Sequence, residues 1–156
     1  MAAKYWFIKS EPGVFSIDDL AKAKNQTTHW DGVRNYQARN FIRDEMKLGD
    51  KVLFYHSNAE PNAVAGICEV VKEAYPDSSA FDPKDIHYDP KSKKDSPAWF
   101  MIDVKFVKKF SKLVPLSEIK ANKKLQKMRL IQPGNRLSVM PVTKEEFEEI
   151  ERMASR

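Results

Sequence analysis

The sequence predicts an α+β domain built on a largely antiparallel, curled sheet. Strand-like and helix-like segments follow one another in mixed order, and no βαβ unit repeats, which is the pattern of this fold class. The 156 residues match the usual length of one domain, and 42% of them are hydrophobic, which is enough for a packed core. We therefore expect one domain over residues 1–156.

The first two predicted elements are a strand and a helix. Residues 5–9 combine aromatic and β-branched side chains, a composition typical of strands, and a Pro-Gly pair then ends the segment. Ser16 is the expected N-cap of a helix over residues 17–24, because Asp19 stands three residues later, at the position of a capping box.

A loop and a second helix are predicted next. Residues 26–34 are expected to form a loop that carries Trp30 and Gly32, and Asn35 can cap a helix that ends near Met46. The apolar side chains of this helix recur at helical spacing and form one stripe: Ala38, Phe41, Ile42 and Met46.

Two strands and a long loop occupy the middle of the chain. Residues 51–57 alternate as a strand, and residues 63–74 follow as a second, in which Gly66 indicates a bulge or a close approach of the backbone. Residues 75–97 are polar and contain four prolines, so we expect a long loop, which at this length is usually functional or disordered.

Two strands and two helices complete the predicted fold. Residues 99–110 show the clearest alternation of a strand, and a proline then precedes a short helix over residues 116–121. Residues 136–142 are predicted to form the last strand. Thr143 is expected to cap the final helix, with Glu146 completing a capping box.

Basic charge is concentrated in one part of the chain. Thirteen Lys and Arg against three acidic residues give residues 91–136 a net charge of +10, whereas the whole chain carries +5. This asymmetry suits a surface that binds a polyanion, since Lys and Arg displace counterions from phosphate. A solvated lysine-rich surface explains the same charge, and both interpretations stay open.

The sequence contains no familiar motif of catalysis or of metal binding. It has no P-loop, no dinucleotide glycine motif and no Gly-x-Ser-x-Gly elbow, and its three histidines lack partners at metal-ligand spacing. We therefore expect no metal, no cofactor and no catalytic residue. Cys68 stands in an apolar strand and is predicted to be a buried structural thiol.

The same composition yields expectations about location and assembly. One cysteine cannot form an internal disulfide, which fits a reducing compartment, and we expect a cytoplasmic protein. No apolar run approaches the roughly 18 residues of a membrane span, and the first residues lack the pattern of a secretory signal. We expect no membrane partner and favour a monomer.

Aromatic, amide and arginine side chains are dense in residues 30–40. This stretch holds two aromatic residues, three amides and two arginines, and residues 54–58 end a strand in polar groups. Recognition of an unstacked base needs this mixture, because the base stacks on a flat ring while amides or hydroxyls meet its edge. The simpler alternative is that Trp30 and Tyr36 belong to the core and that Asn35 is only a helix cap.

Seven motifs occur in order over essentially the whole chain. They are KSEP at residues 9–12, FSIDDL at 15–20, WDGVRNYQARNF at 30–41, FYHSN at 54–58, GICEV at 66–70, AYPD at 74–77 and RLSVMPV at 136–142. In this order they resemble the EVE-domain family of the PUA-like superfamily. The resemblance implies a PUA-like curled β-barrel of mostly antiparallel strands with surrounding helices, and a ligand pocket at one mouth of the barrel.

The resemblance also implies a ligand and the residues that bind it. EVE proteins are associated with modified bases, such as modified cytosines in DNA, and the related YTH domains bind methylated adenine in RNA. The expected partner is thus DNA or RNA with a modified base, flipped or single-stranded. The implied ligand-binding residues are Ser10, Glu11, Trp30, Asn35, Tyr36, Tyr55, His56, Ser57, Trp99, Leu137 and Ser138. The implied phosphate-binding residues are Arg34, Arg39, Lys105 and Arg136.

Two other functions stay open. Some PUA-like relatives of the ASCH kind resemble small amidohydrolases that act on modified nucleosides. Lys9 and Glu11 share one face of a strand and can form an acid–base pair. An ordinary ion pair accounts for the same two residues. The third alternative is an RNA-binding or protein-interaction module without base selectivity.

Overall fold

The computed structural model describes residues 4–155, which form one six-stranded sheet with helices packed against it. The strands are β1 (Tyr5–Ser10), β2 (Thr27–Trp30), β3 (Lys51–His56), β4 (Ala63–Pro76), β5 (Phe100–Pro115) and β6 (Val139–Val142). The α-helices are α1 (Ile17–Lys22), α2 (Tyr36–Asn40), α3 (Leu116–Ala121) and α4 (Lys144–Ala154). Five short helical segments of other types accompany them: Lys24–Gln26, Phe41–Glu45, Ser78–Phe81, Lys123–Leu125 and Arg129–Ile131.

Hydrogen bonds join the strands in the order β2-β5-β4-β3-β1-β6. Every neighbouring pair is antiparallel except β1 with β3, which are parallel because α1, β2 and α2 form a crossover between them. Within the described residues the sheet is open, and β2 and β6 are its edges. The predicted α+β class with mostly antiparallel strands and surrounding helices is confirmed, and the strands form an open sheet where the resemblance implied a curled barrel.

The prediction of a loop over residues 26–34 is wrong for its first half. Thr27–Trp30 forms the edge strand β2, which pairs antiparallel with β5 from Thr27 opposite Lys105 to Trp30 opposite Ile102. Two β-branched threonines and a tryptophan favour a strand, but four residues are too few to show alternation. The free edge of β5 decides the conformation, because it supplies the hydrogen-bond partners.

The bounds of the last two strands also differ from the prediction. β5 continues beyond residue 110 to Pro115, because its ladder with β4 extends to Ala63 opposite Pro115 even where lysines interrupt the apolar pattern. β6 begins only at Val139. The Asn135 side chain accepts the N–H of Leu137 at 3.0 Å and thereby holds the preceding residues in a turn.

The predicted helix starts are confirmed. Ser16 with Asp19 and Thr143 with Glu146 form complete capping boxes, and the Asn35 side chain accepts the N–H of Ala38. The second helix changes after Asn40 into a π-helical turn, Phe41–Glu45. The predicted stripe on this helix faces the core, and all of its members are buried: Ala38, Phe41, Ile42 and Met46.

Gly66 lies where the central strands meet α1. A Cβ at this position would stand 2.3 Å from the carbonyl oxygen of Lys108 and 2.9 Å from the Ile17 side chain. The register of β4 shifts here against both neighbouring strands. The predicted close approach is therefore confirmed. Cys68 follows two residues later and is fully buried, as a structural thiol should be.

Candidate functional site

A cavity of about 320 Å³ opens beside the end of β2 and the segment that joins β1 to α1. Its lining combines rings, hydroxyl groups and a carboxylate: Ser10, Val14, Phe15, Thr28, His29, Trp30, Asp31 and His87. Small-molecule sites in proteins begin at roughly 300 Å³ and set a few polar groups among apolar rings. The cavity thus has the size and chemistry of a site for one planar, polar ring.

Trp30 forms a rigid wall of this cavity. It is the last residue of β2, and its indole meets the buried ring of Phe54 edge-on at a centroid distance of 5.6 Å. Phe54 in turn meets the His56 imidazole edge-on at 5.8 Å. The core therefore supports the indole, which keeps its stacking surface at a constant position.

The turn between β1 and α1 forms a second wall. The N–H groups of Val14 and Phe15 both donate to the Glu11 carbonyl, at 2.9 and 2.8 Å, and the Ser10 hydroxyl donates to the Phe15 carbonyl. These bonds hold the Phe15 ring at the cavity. Because the Ser10 hydroxyl already donates, its oxygen has only acceptor capacity left for a ligand.

His87 reaches the cavity from the long loop between β4 and β5. Its imidazole lies so close to Gly32 that a Cβ there would stand 2.5 Å from His87 Cε1. Gly32 also has a φ of +79°, which favours glycine. Two features therefore favour glycine at this position, and the absence of a side chain leaves room for the His87 ring.

A partly buried ion pair joins this loop to the segment that follows β2. Asp77 is fully buried, accepts the N–H of Gly32 at 2.8 Å and pairs with the Arg34 guanidinium at 3.0 Å. Burial by itself raises the pKa of Asp77, but hydrogen bonds from Ser79, Gly32 and Arg34 outweigh burial, and the pKa lies below its ordinary value. The carboxylate therefore stays ionised and ties both segments together.

The implied phosphate contact of Arg34 does not fit this arrangement. All five N–H groups of its guanidinium donate inside the protein, to the carbonyls of Val33 and His87 and to the side chains of Asp77 and Ser79. Its donors are thus already used. Arg34 instead fixes the position of the loop that carries His87.

Among the described residues, Asp31, Asp85 and His87 could hold a metal ion, since their ligand atoms all lie within 4.8 Å of one another. Sequence spacing could not reveal this group, because Asp31 is distant in the chain from the other two. Asp85 Oδ1 lies 3.2 Å from His87 Nδ1 and also accepts the His87 backbone N–H. This local pairing accounts for part of the proximity, so the arrangement alone assigns no ion.

Tyr55 and His56 lie outside the cavity lining. Tyr55 is buried against Phe7 at a ring distance of 5.0 Å, and burial raises its pKa to about 12. His56 Nε2 accepts the N–H of Ile17 at 3.1 Å, and burial lowers the pKa of His56. His56 therefore acts as a neutral acceptor that connects α1 to β3.

Tyr36 and Trp99 form a separate stacked pair. Their rings lie 4.8 Å apart at 23°, with Trp99 buried and Tyr36 largely exposed. The Trp99 indole N–H donates to Asp89 at 2.7 Å, and the Arg39 guanidinium lies over the Tyr36 ring. Arg39 also donates to the Ala98 carbonyl at 2.9 Å. The pair is outside the cavity lining, and Asn35 beside it serves as a helix cap.

The remaining implied residues occupy varied positions. The N–H of Ser57 donates to the Ser10 carbonyl, and Ser138 accepts the N–H of Lys9 through its own carbonyl. Glu11 accepts from the Asn58 amide at 2.9 Å. Leu137 is buried, whereas Lys105 and Arg136 are exposed. Of the implied ligand-binding residues, the structure brings Ser10 and Trp30 into the cavity lining.

Sequence reasoning missed the other members of the lining, which are Val14, Phe15, Thr28, His29, Asp31 and His87. One signal was available, since Thr28 and Trp30 stand two residues apart and share a face once this segment is a strand. His87 carried no comparable signal, because its position depends on the Asp77 pair and on Gly32.

Comparisons with known proteins agree with this architecture. The family model described as EVE domain matches residues 4–153. Thymocyte nuclear protein 1 of Gallus gallus is 48% identical over 160 residues, which cover 92% of this chain and 66% of that protein. The chain thus spans about two thirds of this relative's length.

Two solved structures are closely similar. A hypothetical protein from Leishmania major superposes with a TM-score of 0.93 at 51% identity, covering 99% of this chain and 96% of that one. Human THYN1 protein in complex with 5-methylcytosine containing DNA superposes with a TM-score of 0.92 at 44% identity, covering 99% of both chains.

The relatives also correct the predicted location. Those from Gallus gallus and Homo sapiens are named nuclear proteins, which contradicts the expectation of a cytoplasmic protein. Nuclear proteins also rarely contain disulfides, so a lone Cys68 cannot distinguish the two compartments. The described residues contain no helix with the length and apolarity to cross a membrane.

With the family model matching nearly its whole length and a relative almost half identical to it, this chain belongs to the EVE-domain family.

Proposed function

We propose that this chain is a DNA-binding module that holds one modified base, extruded from its strand, in the cavity beside Trp30. The observation that carries the proposal is the lining of that cavity, where the Trp30 and Phe15 rings accompany hydroxyl, imidazole and carboxylate groups. The human relative solved with 5-methylcytosine containing DNA supports DNA as the nucleic acid and a methylated cytosine as the base.

Stacking supplies the main attraction in this proposal. A base on an aromatic side chain gains about 1–3 kcal/mol, which offsets the few kcal/mol that extrusion from a duplex costs. Trp30 suits this role because Phe54 and β5 hold it in place, so little freedom is lost when a base stacks on it.

Polar groups at the cavity match the edge of a cytosine. Its exocyclic amine donates, and the Asp31 carboxylate and the Ser10 hydroxyl oxygen offer acceptors. A buried methyl group contributes about 0.8 kcal/mol, which corresponds to about a fourfold preference over the unmodified base. Stronger selectivity needs a polar contact that the unmodified base leaves unpaired.

Replacement of Trp30 tests the proposal. We expect Trp30→Leu, which keeps apolar packing against Phe54, to lower the affinity for an oligonucleotide with one 5-methylcytosine by about 5- to 150-fold. Trp30→Phe retains a ring and should lose less. Fluorescence anisotropy measures the affinities, and urea denaturation confirms that each variant is folded. Unchanged affinity of folded Trp30→Leu would remove the base from this cavity and refute the proposal.

The alternative hydrolase finds no support at the cavity. Lys9 and Glu11, its acid–base pair, are absent from the described lining, and the Glu11 carboxylate accepts from Asn58. The names of the Gallus gallus relative and of the human complex state location and binding rather than a reaction. Incubation with a panel of modified nucleosides, followed by mass spectrometry, checks this point, and turnover of any of them would favour the enzyme.

A further inference from the structure

Two exposed apolar side chains belong to the two turns that contribute Val14 and His87 to the cavity lining. Val14 lines the cavity, yet 77% of its surface is exposed. Ile86 is 91% exposed and directly precedes His87, whose imidazole is part of the lining. Single exposed apolar residues are common on protein surfaces. These two are distinguished because each belongs to a turn that contributes to the lining of one cavity.

Both side chains are carried by well-fixed turns. In the turn of Ile86, the N–H of Tyr88 donates to the Asp85 carbonyl at 3.0 Å and the N–H of His87 donates to the Asp85 carboxylate at 2.8 Å. Arg34 donates twice to the His87 carbonyl, which ties this turn to the buried Asp77 pair. Val14 belongs to the turn that closes on the Glu11 carbonyl.

A base that leaves a duplex opens a gap in the stack. Proteins that distort DNA often fill such a gap with an apolar wedge, which recovers part of the unstacking cost of a few kcal/mol. Isoleucine and valine suit this use, because branching at Cβ restricts χ1 and little side-chain entropy is lost on insertion. A single strand presents no such gap and has no use for a wedge.

We propose that Ile86, assisted by Val14, enters the DNA stack at the position vacated by the base that occupies the cavity. This inference rests on the proposed function and deepens it, since it makes a duplex rather than a single strand the ligand. Ile86 is the principal wedge for two reasons. It is more exposed than Val14, and it lies in a turn directly before His87, which lines the cavity.

The test compares Ile86→Ser and Val14→Ser with wild type on two ligands. One is a duplex with a single central 5-methylcytosine, and the other is the modified strand alone. We expect Ile86→Ser to weaken duplex binding by about tenfold, while its binding of the single strand changes by less than about twofold. Val14→Ser should also weaken duplex binding, but less than Ile86→Ser does. Leu48→Ser is the matched control, because Leu48 is a 59% exposed apolar residue on a turn outside the cavity lining.

A second measurement reports the gap directly. The fluorescent base 2-aminopurine is placed beside the modified base. Saturating wild type should change the fluorescence intensity of this duplex, and saturating Ile86→Ser should change it by a different amount. An equal loss of affinity for both ligands in Ile86→Ser would make Ile86 an ordinary contact and would refute the wedge. No loss of affinity for either ligand would refute it too. Tighter binding of wild type to the single strand than to the duplex would refute it as well. Failure of the proposed function has another signature, namely unchanged binding by Trp30→Leu.

Discussion

At the scale of single residues, His87 and His56 serve different purposes. His87 is part of the cavity lining, whereas the His56 ring packs edge-on against Phe54 and accepts the N–H of Ile17 through Nε2. An imidazole accepts a hydrogen bond only when it is neutral. The link between β3 and α1 through His56 therefore depends on pH.

Acid should weaken the fold through His56. Burial lowers the pKa of this group in the folded state below the ordinary 6.5, although Asp18 and Asp19 partly counter the effect of burial. The unfolded chain then binds the proton first as pH falls below about 6.5, so stability is complete above that pH and declines below it. We expect the urea concentration at the unfolding midpoint to decrease when the pH is lowered from 7.5 to 5.5.

His56→Gln provides the control for the pH experiment, because an amide does not titrate in this range. The pH dependence between 7.5 and 5.5 should become flatter in this variant. An equally steep decline in His56→Gln would assign the effect to other groups. The carboxylates with lowered pKa values, such as Asp77, lose their stabilising charge only at lower pH and do not interfere.

At the scale of elements, the cavity is made by loops that a rigid sheet holds in place. The edge strand β2 carries Trp30, the turn after β1 carries Phe15, and the loop after β4 carries His87. The last of these depends on Gly32, because only a residue without a side chain allows the His87 ring to lie where it does.

Gly32→Ala should damage both the fold and the site. The positive φ of this position costs a non-glycine residue about 1–3 kcal/mol, and the new Cβ would displace His87 from the lining. We expect a lower urea midpoint together with weaker binding of the modified oligonucleotide. Gly134→Ala separates the two effects, because Gly134 has a φ of +78° but no neighbouring atom within 4 Å. It should lose stability and keep its affinity; an equal loss of affinity in both variants would contradict a role for His87.

At the scale of the whole molecule, we infer that the chain is one domain, which the match to one family model over residues 4–153 supports. The basic segment is distributed over several elements rather than one strip. Lys105 stands exposed on β5 beside β2, the strand that carries Trp30. Lys123 and Lys124 instead line grooves together with acidic residues of α4, among them Glu149.

Lys105 should contribute to binding irrespective of the base. If it contacts one phosphate, Lys105→Gln lowers the slope of log affinity against log salt by about one and weakens modified and unmodified DNA alike. Lys144→Gln is the matched control, because Lys144 is exposed on α4, which follows β6 at the opposite edge of the sheet from β2. Titrations at several salt concentrations measure the slopes. An unchanged slope in Lys105→Gln would place the phosphate path elsewhere.

Local sequence by itself determined the features that act within a few residues. The capping boxes at Ser16 and Thr143 and the alternation of the long strands were predictable, since caps and side-chain periods depend on near neighbours. Tertiary structure decided three other features: β2 is a strand because β5 offers a free edge, Arg34 turns inward because Asp77 is buried beside it, and His87 meets Gly32 across more than fifty residues. The physical reason is that hydrogen-bond partners and close contacts between distant segments exist only after the sheet has assembled.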